Sequence, residues 1–248
     1  MGRATDLLNM ALNNLGPRPQ DSAKQKEKKA YSEKLSQAVA QALAQELRTR
    51  GLKEARPAPP GEIGSSGAER RMAGGIGAKK VDVTWATEEA GLLLAISVKS
   101  INFKDSKTKN YQKNLTNRRG DMLFESVTLH RRFPFAVLAG FFFFDSGAAN
   151  DATRTRRSTL DNAHDAFKLF TGRPDPAARE EQFERFYIVL HHPANAPPTA
   201  DFYRVETPGQ VIALEAIFDE LIVLLAERNS DFYEAVMVDG TRHLRTRR

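Results

Sequence analysis

An aspartate and a lysine on two neighbouring predicted strands are the residues of this sequence best suited to chemistry. Asp82 lies within Lys79–Trp85, where apolar and polar residues alternate, and Lys99 lies near the end of the apolar run Leu92–Ser100. A buried strand rarely accepts a lysine, because a desolvated ammonium group needs a partner. The two side chains could simply form an ion pair. Alternatively they mark a phosphodiester-hydrolysing site, in which Asp82 holds a divalent metal ion and Lys99 orients the attacking water and offsets charge on the phosphorane.

A β-hairpin would bring the two residues together. Both segments have strand character, and residues 87–91 between them supply a turn. If the turn is centred on residues 89–90, Ser97 lies opposite Asp82. Lys99 then follows one step further along the same face, so the hairpin predicts a shared site.

Helices and strands alternate along the rest of the chain. Apolar residues at three- and four-residue steps indicate helices, and short apolar runs indicate buried strands. The predicted helices are Tyr31–Arg50, Asn117–Arg131, Thr159–Phe170 and Thr207–Glu227, and the predicted strands after the hairpin are Phe133–Phe144, Phe183–His191 and Phe202–Val205. This order predicts an α/β fold with a mixed β-sheet flanked by helices.

Composition divides the 248 residues into three parts. Residues 1–55 are predicted to form an N-terminal helical segment, and residues 56–78 a flexible loop rich in Gly, Pro and Ser. Residues 79–248 are predicted to form the α/β core with a C-terminal helical extension. The length suits one compact domain overall.

The absence of cysteine and of long apolar runs excludes several classes of protein. Without Cys, thiolate zinc sites, iron–sulfur clusters, disulfide scaffolds and cysteine nucleophiles are ruled out. No apolar stretch is long enough to span a bilayer, and the first residues lack the apolar core of a signal peptide. We therefore expect no membrane partner and a cytoplasmic location.

The positive charge is concentrated in one segment. Residues 99–132 contain nine Lys and Arg against three acids, which accounts for the whole formal charge of +6. Such a segment can be a solvated face, or it can bind the phosphate backbone of a nucleic acid. The predicted DNA-binding residues are Lys104, Lys107, Lys109, Lys113, Arg118 and Arg119.

The sequence Gly77–Val83, followed by Ser97-Val98-Lys99, resembles the core of the PD-(D/E)XK nuclease superfamily, which has the restriction-endonuclease-like fold. The resemblance covers residues 31–145. In that superfamily an acid on one hairpin strand and an acid-x-Lys motif on the next bind Mg²⁺, for which Mn²⁺ can substitute. Here Ser97 stands where the family usually has Glu or Asp.

The resemblance implies that another carboxylate completes the metal site. Some family members with a Ser-x-Lys motif supply this acid from the following helix, where Asp121 and Glu125 share a face. Glu46 lies beside the apolar stripe of the first predicted helix and matches the family's first-helix carboxylate, whereas Glu69 lies thirteen residues before Asp82. Glu46 and Glu69 could each instead form a surface salt bridge. The expected catalytic residues are Asp82, Lys99, Ser97, Glu69, Glu46 and Asp121, of which Asp82, Glu69 and Asp121 are the expected metal ligands.

The resemblance implies a Mg²⁺-dependent endonuclease that cuts double-stranded DNA, such as a restriction or phage-defence enzyme. Many enzymes of this type act as homodimers. Two alternatives remain open: a nuclease-fold module that binds DNA without cutting it, and a subunit of a defence or repair complex whose basic segment contacts an acidic partner.

Overall fold

The computed structural model describes residues 2–62 and 70–247, which contain five α-helices and ten strands. The helices are α1 (Arg3–Asn13), α2 (Gln25–Thr49), α3 (Leu115–His130), α4 (Thr159–Phe167) and α5 (Leu214–Arg228). The strands are β1 (Arg70–Ala73), β2 (Ala78–Val81), β3 (Val83–Thr87), β4 (Gly91–Ile101), β5 (Val137–Asp145), β6 (Arg185–His192), β7 (Thr199–Arg204), β8 (Val211–Ile212), β9 (Tyr233–Val238) and β10 (Thr241–Thr246).

A mixed sheet of six strands organises the molecule, in the order β3-β4-β5-β6-β7-β8. The central pairs β4–β5 and β5–β6 are parallel, and the outer pairs are antiparallel. The parallel step from β4 to β5 runs through α3, since parallel neighbours need a crossover connection. The predicted α/β class with a mixed sheet and flanking helices is confirmed.

Helices cover both faces of this sheet. One apolar cluster joins α1, α2 and α5 to one face, and a second joins α3 and α4 to the other. In β5 the phenylalanines alternate between the two clusters, with Phe141 and Phe143 on one face and Phe142 and Phe144 on the opposite face. A strand covered on both faces can be apolar at every position, which explains the continuous run of phenylalanine.

The predicted strand Lys79–Trp85 is interrupted. The chain leaves regular strand structure at Asp82, so β2 pairs with β1 in a separate hairpin while β3 pairs with β4 in the main sheet. Part of the predicted flexible loop 56–78 is therefore ordered, because β1 belongs to it and Arg56 pairs with Thr84. Residues 63–69 of that loop lie outside the described residues.

The C-terminal region also differs from the prediction. The helix expected from Thr207 begins at Leu214, because residues 211–212 form β8 and pair with β7. This pairing overrides the helix-start signal of Thr207 and Pro208. The chain then continues into the β9–β10 hairpin, which follows α5 and was not predicted.

Candidate active site

The site forms where β4 continues beyond its partner strand. Val83 pairs with Ile96, and the same register places Asp82 opposite Ser97, as the sequence predicted. Beyond this point β4 runs on to Ile101 without β3 beside it. The backbone N–H of Val98 donates a hydrogen bond of 2.7 Å to Asp82 Oδ2, which fixes the carboxylate at the free edge of β4.

Three ionisable side chains converge at this edge. Lys99 Nζ lies 3.5 Å from Asp82 Oδ2 and 3.7 Å from Glu125 Oε2. Glu125 is on α3, which packs on the same side of the sheet as the Lys99 side chain. Ser97 is buried, and its hydroxyl contributes to lowering the pKa of the Glu125 carboxyl. Asp82, Lys99, Glu125 and Ser97 are called the acid–lysine cluster below.

Burial and like charge set the protonation of this cluster. Burial is the largest influence on Glu125 and, with the neighbouring charge of Asp82, raises the pKa of its carboxyl to about 7 against the pull of Lys99. For Lys99, burial acts to lower the pKa, but Glu125 and Asp82 outweigh it and the pKa is raised. The lysine is therefore cationic at neutral pH, while Glu125 is poised to gain or lose a proton.

A cleft of about 720 Å³ is lined by two members of the cluster, Asp82 and Lys99. Its walls are the first half of α2, the segment after β4 and the start of α3. Seven of its lining side chains are basic, namely Lys28, Lys29, Lys80, Lys99, Lys104, Lys113 and Arg118. Concentrated positive charge in a concave site attracts polyanions such as nucleic acids.

The predicted DNA-binding residues divide into two groups. Lys104, Lys113 and Arg118 line the cleft. Lys107 and Lys109 are exposed on the loop after β4 but do not line the cleft. Arg119 lies over the ring of Phe170, with its guanidinium carbon 5.6 Å from the ring centroid.

Three cleft lysines were missed by sequence reasoning. Lys28 and Lys29 belong to α2, whereas the sequence suggested that the lysine-rich stretch before residue 30 precedes the helix. Lys80 lies on β2, two residues before the interruption at Asp82. The sequence shows these positive charges, but only the packing of α2 and β2 in the fold directs the three side chains into the cleft.

A short polar loop holds the basic segment in place. The carboxylate of Asp105 accepts hydrogen bonds from the backbone N–H groups of Lys107 and Thr108 at 3.0 and 2.9 Å. Its other oxygen lies 2.6 Å from Lys113 Nζ. The hydrogen bond to Lys113 and those of the loop hold the pKa of Asp105 far below its usual range. The loop therefore presents its lysines from a fixed backbone.

The other predicted acids do not join the cluster. Glu46 is buried between Arg3 and Arg50, at 2.9 and 2.6 Å. Asp121 is exposed and lies 3.8 Å from Arg118, so Glu125 is the α3 acid that reaches Lys99. Glu69 falls outside the described residues.

A different glutamate of α2 lines the cleft. Glu33 is exposed there and lies 3.7 Å from Lys29 Nζ. Sequence reasoning favoured Glu46 because it lies beside the apolar stripe, but that position carries the acid into a buried ion-pair network. Glu33, on the polar face, is the acid that the helix brings to the cleft.

The donor atoms available for a metal ion are carboxylate oxygens. Within residues 2–62 and 70–247 no group of three or more His, Asp or Glu side chains is placed to hold one ion. Asp82 and Glu125 nevertheless both lie close to the Lys99 ammonium group. Their carboxylate oxygens are the kind of ligand that Mg²⁺ and Mn²⁺ prefer. Burial, together with the charge of Asp82, raises the pKa of Glu125, and a cation bound between the two carboxylates would oppose this shift. The two carboxylates therefore fit a divalent cation in kind.

Comparisons with protein-family models, with curated proteins and with solved structures returned no match for this chain. Across the described part of the chain, no helix combines the length and the apolar character needed to cross a bilayer.

Proposed function

We propose that this chain is a Mg²⁺-dependent endonuclease that hydrolyses phosphodiester bonds of DNA and has a restriction-endonuclease-like core. One observation carries the proposal: Asp82 and Lys99 line a cleft whose walls bear six further cations, and the buried Glu125 lies behind them, 3.7 Å from Lys99 Nζ. The acids suit chemistry on a phosphate, and the cations suit binding of the polyanion that contains it.

Each member of the cluster has a distinct task. The Lys99 ammonium lies close enough to both carboxylates to orient a water molecule between them and to offset negative charge on the phosphorane. Asp82 is held by the Val98 N–H, so its carboxylate keeps a fixed direction. Burial raises the pKa of Glu125 to about 7, and a divalent ion bound to it would displace the proton and leave the carboxylate as a ligand.

Asp82 and Glu125 are the residues that would hold Mg²⁺ or Mn²⁺. When bound, such an ion polarises the phosphoryl oxygen and lowers the pKa of a coordinated water. Glu33 lines the same cleft and is available as a further oxygen donor.

The biological setting follows from the resemblance. A restriction or phage-defence enzyme in the cytoplasm cuts both strands of a duplex, and a homodimer with one cleft per subunit would provide the second cut.

A DNA-binding module without cleavage is the second candidate. Its support is Ser97, a neutral hydroxyl at the position where the family has an acid, together with the absence of a three-ligand group in the described ranges. Such a protein would use the same basic cleft for binding alone.

Cleavage of supercoiled plasmid tests the two candidates. Wild type, Lys99→Met and the control Lys53→Met, an exposed lysine outside the cleft lining, are compared in Mg²⁺, Mn²⁺ and EDTA. We expect metal-dependent nicking that falls by at least about a thousandfold in Lys99→Met and is unchanged in Lys53→Met. DNA binding by all three proteins with no cutting in either metal would select the binding module.

A further inference from the structure

An exposed phenylalanine with a lysine over its ring lies next to the acid–lysine cluster. Phe124 on α3 is 45% exposed, and Lys79 Nζ lies 4.2 Å from the centroid of its ring. A cation at this distance from an aromatic ring is attracted to the ring's π-electrons. The pair presents an apolar ring and a positive charge at one point of the surface.

The pair lies on the two elements that border the cleft, outside its lining. Lys79 is on β2, whose Lys80 lines the cleft from the opposite face of the strand, and Phe124 is on α3, whose Arg118 lines it. The β1–β2 hairpin is joined to α3 by a 2.9 Å hydrogen bond from the Gly75 N–H to the Thr128 carbonyl. No side chain could occupy Gly75 without meeting Arg131, so glycine permits this close approach.

Lys79 also acts on the acid–lysine cluster. The charge of Lys79 is near enough to Glu125 to contribute to lowering the pKa of that carboxyl. A strand that leaves the cleft past Lys80 or Arg118 passes onto the same hairpin and helix that carry Lys79 and Phe124. These cations suit a negatively charged ligand.

Nucleobases match this combination of groups. Every base has a flat π-face that stacks on an aromatic side chain, and its phosphates pair with nearby lysines. A protein partner fits less well, because lysine is depleted at the buried centres of protein interfaces. The charge around Phe124 thus favours a nucleic acid over a protein.

We propose that Phe124 and Lys79 form a stacking site for one unpaired nucleobase of a strand whose phosphates occupy the cleft. The inference rests on the proposed function and specifies its substrate: single-stranded DNA, or a duplex with a locally unpaired base. Bases inside an intact duplex are already stacked on each other and cannot reach the ring without being extruded.

Tryptophan fluorescence provides a direct test. Trp85 is the one tryptophan of the chain and is 6% exposed, so Phe124→Trp adds an exposed reporter at the site. The matched control is Phe135→Trp, because Phe135 is 55% exposed and lies in the connection before β5. With a single-stranded oligonucleotide in EDTA, we expect quenching in Phe124→Trp and no change in Phe135→Trp.

Affinity measurements on a second variant test the stacking site independently if Phe124→Trp folds poorly. We expect Phe124→Ala to bind a single-stranded oligonucleotide about tenfold more weakly than wild type by fluorescence anisotropy, with little change for the fully paired duplex. Equal affinity of wild type and Phe124→Ala, without quenching, would overturn the stacking site while leaving the nuclease proposal intact. Failure of wild type to bind any DNA would overturn both.

Discussion

Two buried glutamates, Glu184 and Glu125, have opposite electrostatic environments. Glu184 accepts a 2.7 Å hydrogen bond from the Leu138 N–H and lies 3.0 Å from Arg173 and 3.3 Å from Arg228. His130 Nε2 is a further neighbour at 3.3 Å. Burial acts to raise the pKa of Glu184, but these partners outweigh it and the pKa is lowered.

Glu125 is also buried, but it has far fewer cationic and hydrogen-bonding partners to offset the loss of solvation. Its cation, Lys99, is 3.7 Å away and is shared with Asp82. Burial therefore dominates and raises the pKa to about 7. A buried carboxylate with a full set of partners stabilises the fold, whereas one with too few partners, beside a cleft, retains the capacity to bind a further cation or proton.

The largest expected effect is on folding stability at Glu184. Glu184→Gln leaves Arg173 and Arg228 without their carboxylate, and we expect unfolding free energy to fall by about 3–5 kcal/mol. Urea denaturation at pH 7 measures this change. The control Glu181→Gln removes a partner of Arg179 near the surface and should cost less than about 1 kcal/mol. Equal losses of unfolding free energy in the two variants would contradict the stabilising role assigned to the partners of Glu184.

The second prediction concerns the pH dependence contributed by Glu125. Its pKa is about 7 in the folded protein against a usual value of 4.5, so the folded state holds the proton more tightly. The resulting stabilisation is present in full below pH 4.5 and is lost as the pH rises through 7. In EDTA we expect wild type to lose about 3 kcal/mol relative to Glu125→Gln between pH 5 and pH 8. Parallel pH profiles of unfolding free energy would show that Glu125 is already fully compensated.

The smallest expected effect separates two adjacent arginines. Arg118 lines the cleft, whereas Arg119 lies over Phe170. We expect Arg118→Gln to reduce the slope of log affinity for DNA against log salt by about 1, the change for one lost phosphate contact. Arg119→Gln should leave the slope unchanged. A reversed order in salt titrations would mean that DNA follows a different face of α3.

The hairpin could be predicted because its information is local. Strand alternation and turn position specify the register that sets Asp82 opposite Ser97, and the apolar environment marks Lys99 as unusual. The choice between Asp121 and Glu125 could not be made in the same way. The two acids are four residues apart on one helix, and only the crossing of α3 over the sheet decides which one is buried against Lys99.

The choice between Glu33 and Glu46 on α2 could not be made from the sequence either. The amphipathic pattern locates the helix, but the surroundings of these two acids come from distant parts of the chain. Arg3 reaches Glu46 across 43 positions of sequence. Periodicity carries no information about such a partner.

The network around Glu46 also joins the first helix of the chain to its last strand. Glu46 contacts Arg3 and Arg50, and Arg50 in turn pairs with Asp219 and donates a 3.3 Å hydrogen bond to the Arg242 carbonyl. Arg50 and Arg242 are 192 positions apart in sequence, and we expect contacts of such long range to close late in folding. The helix that they anchor is α2, which supplies one wall of the cleft. We therefore expect the cleft to take its final form only after β10 has docked, so that a partly synthesised chain would carry the charged residues of the site without yet having a groove in which to bind a substrate.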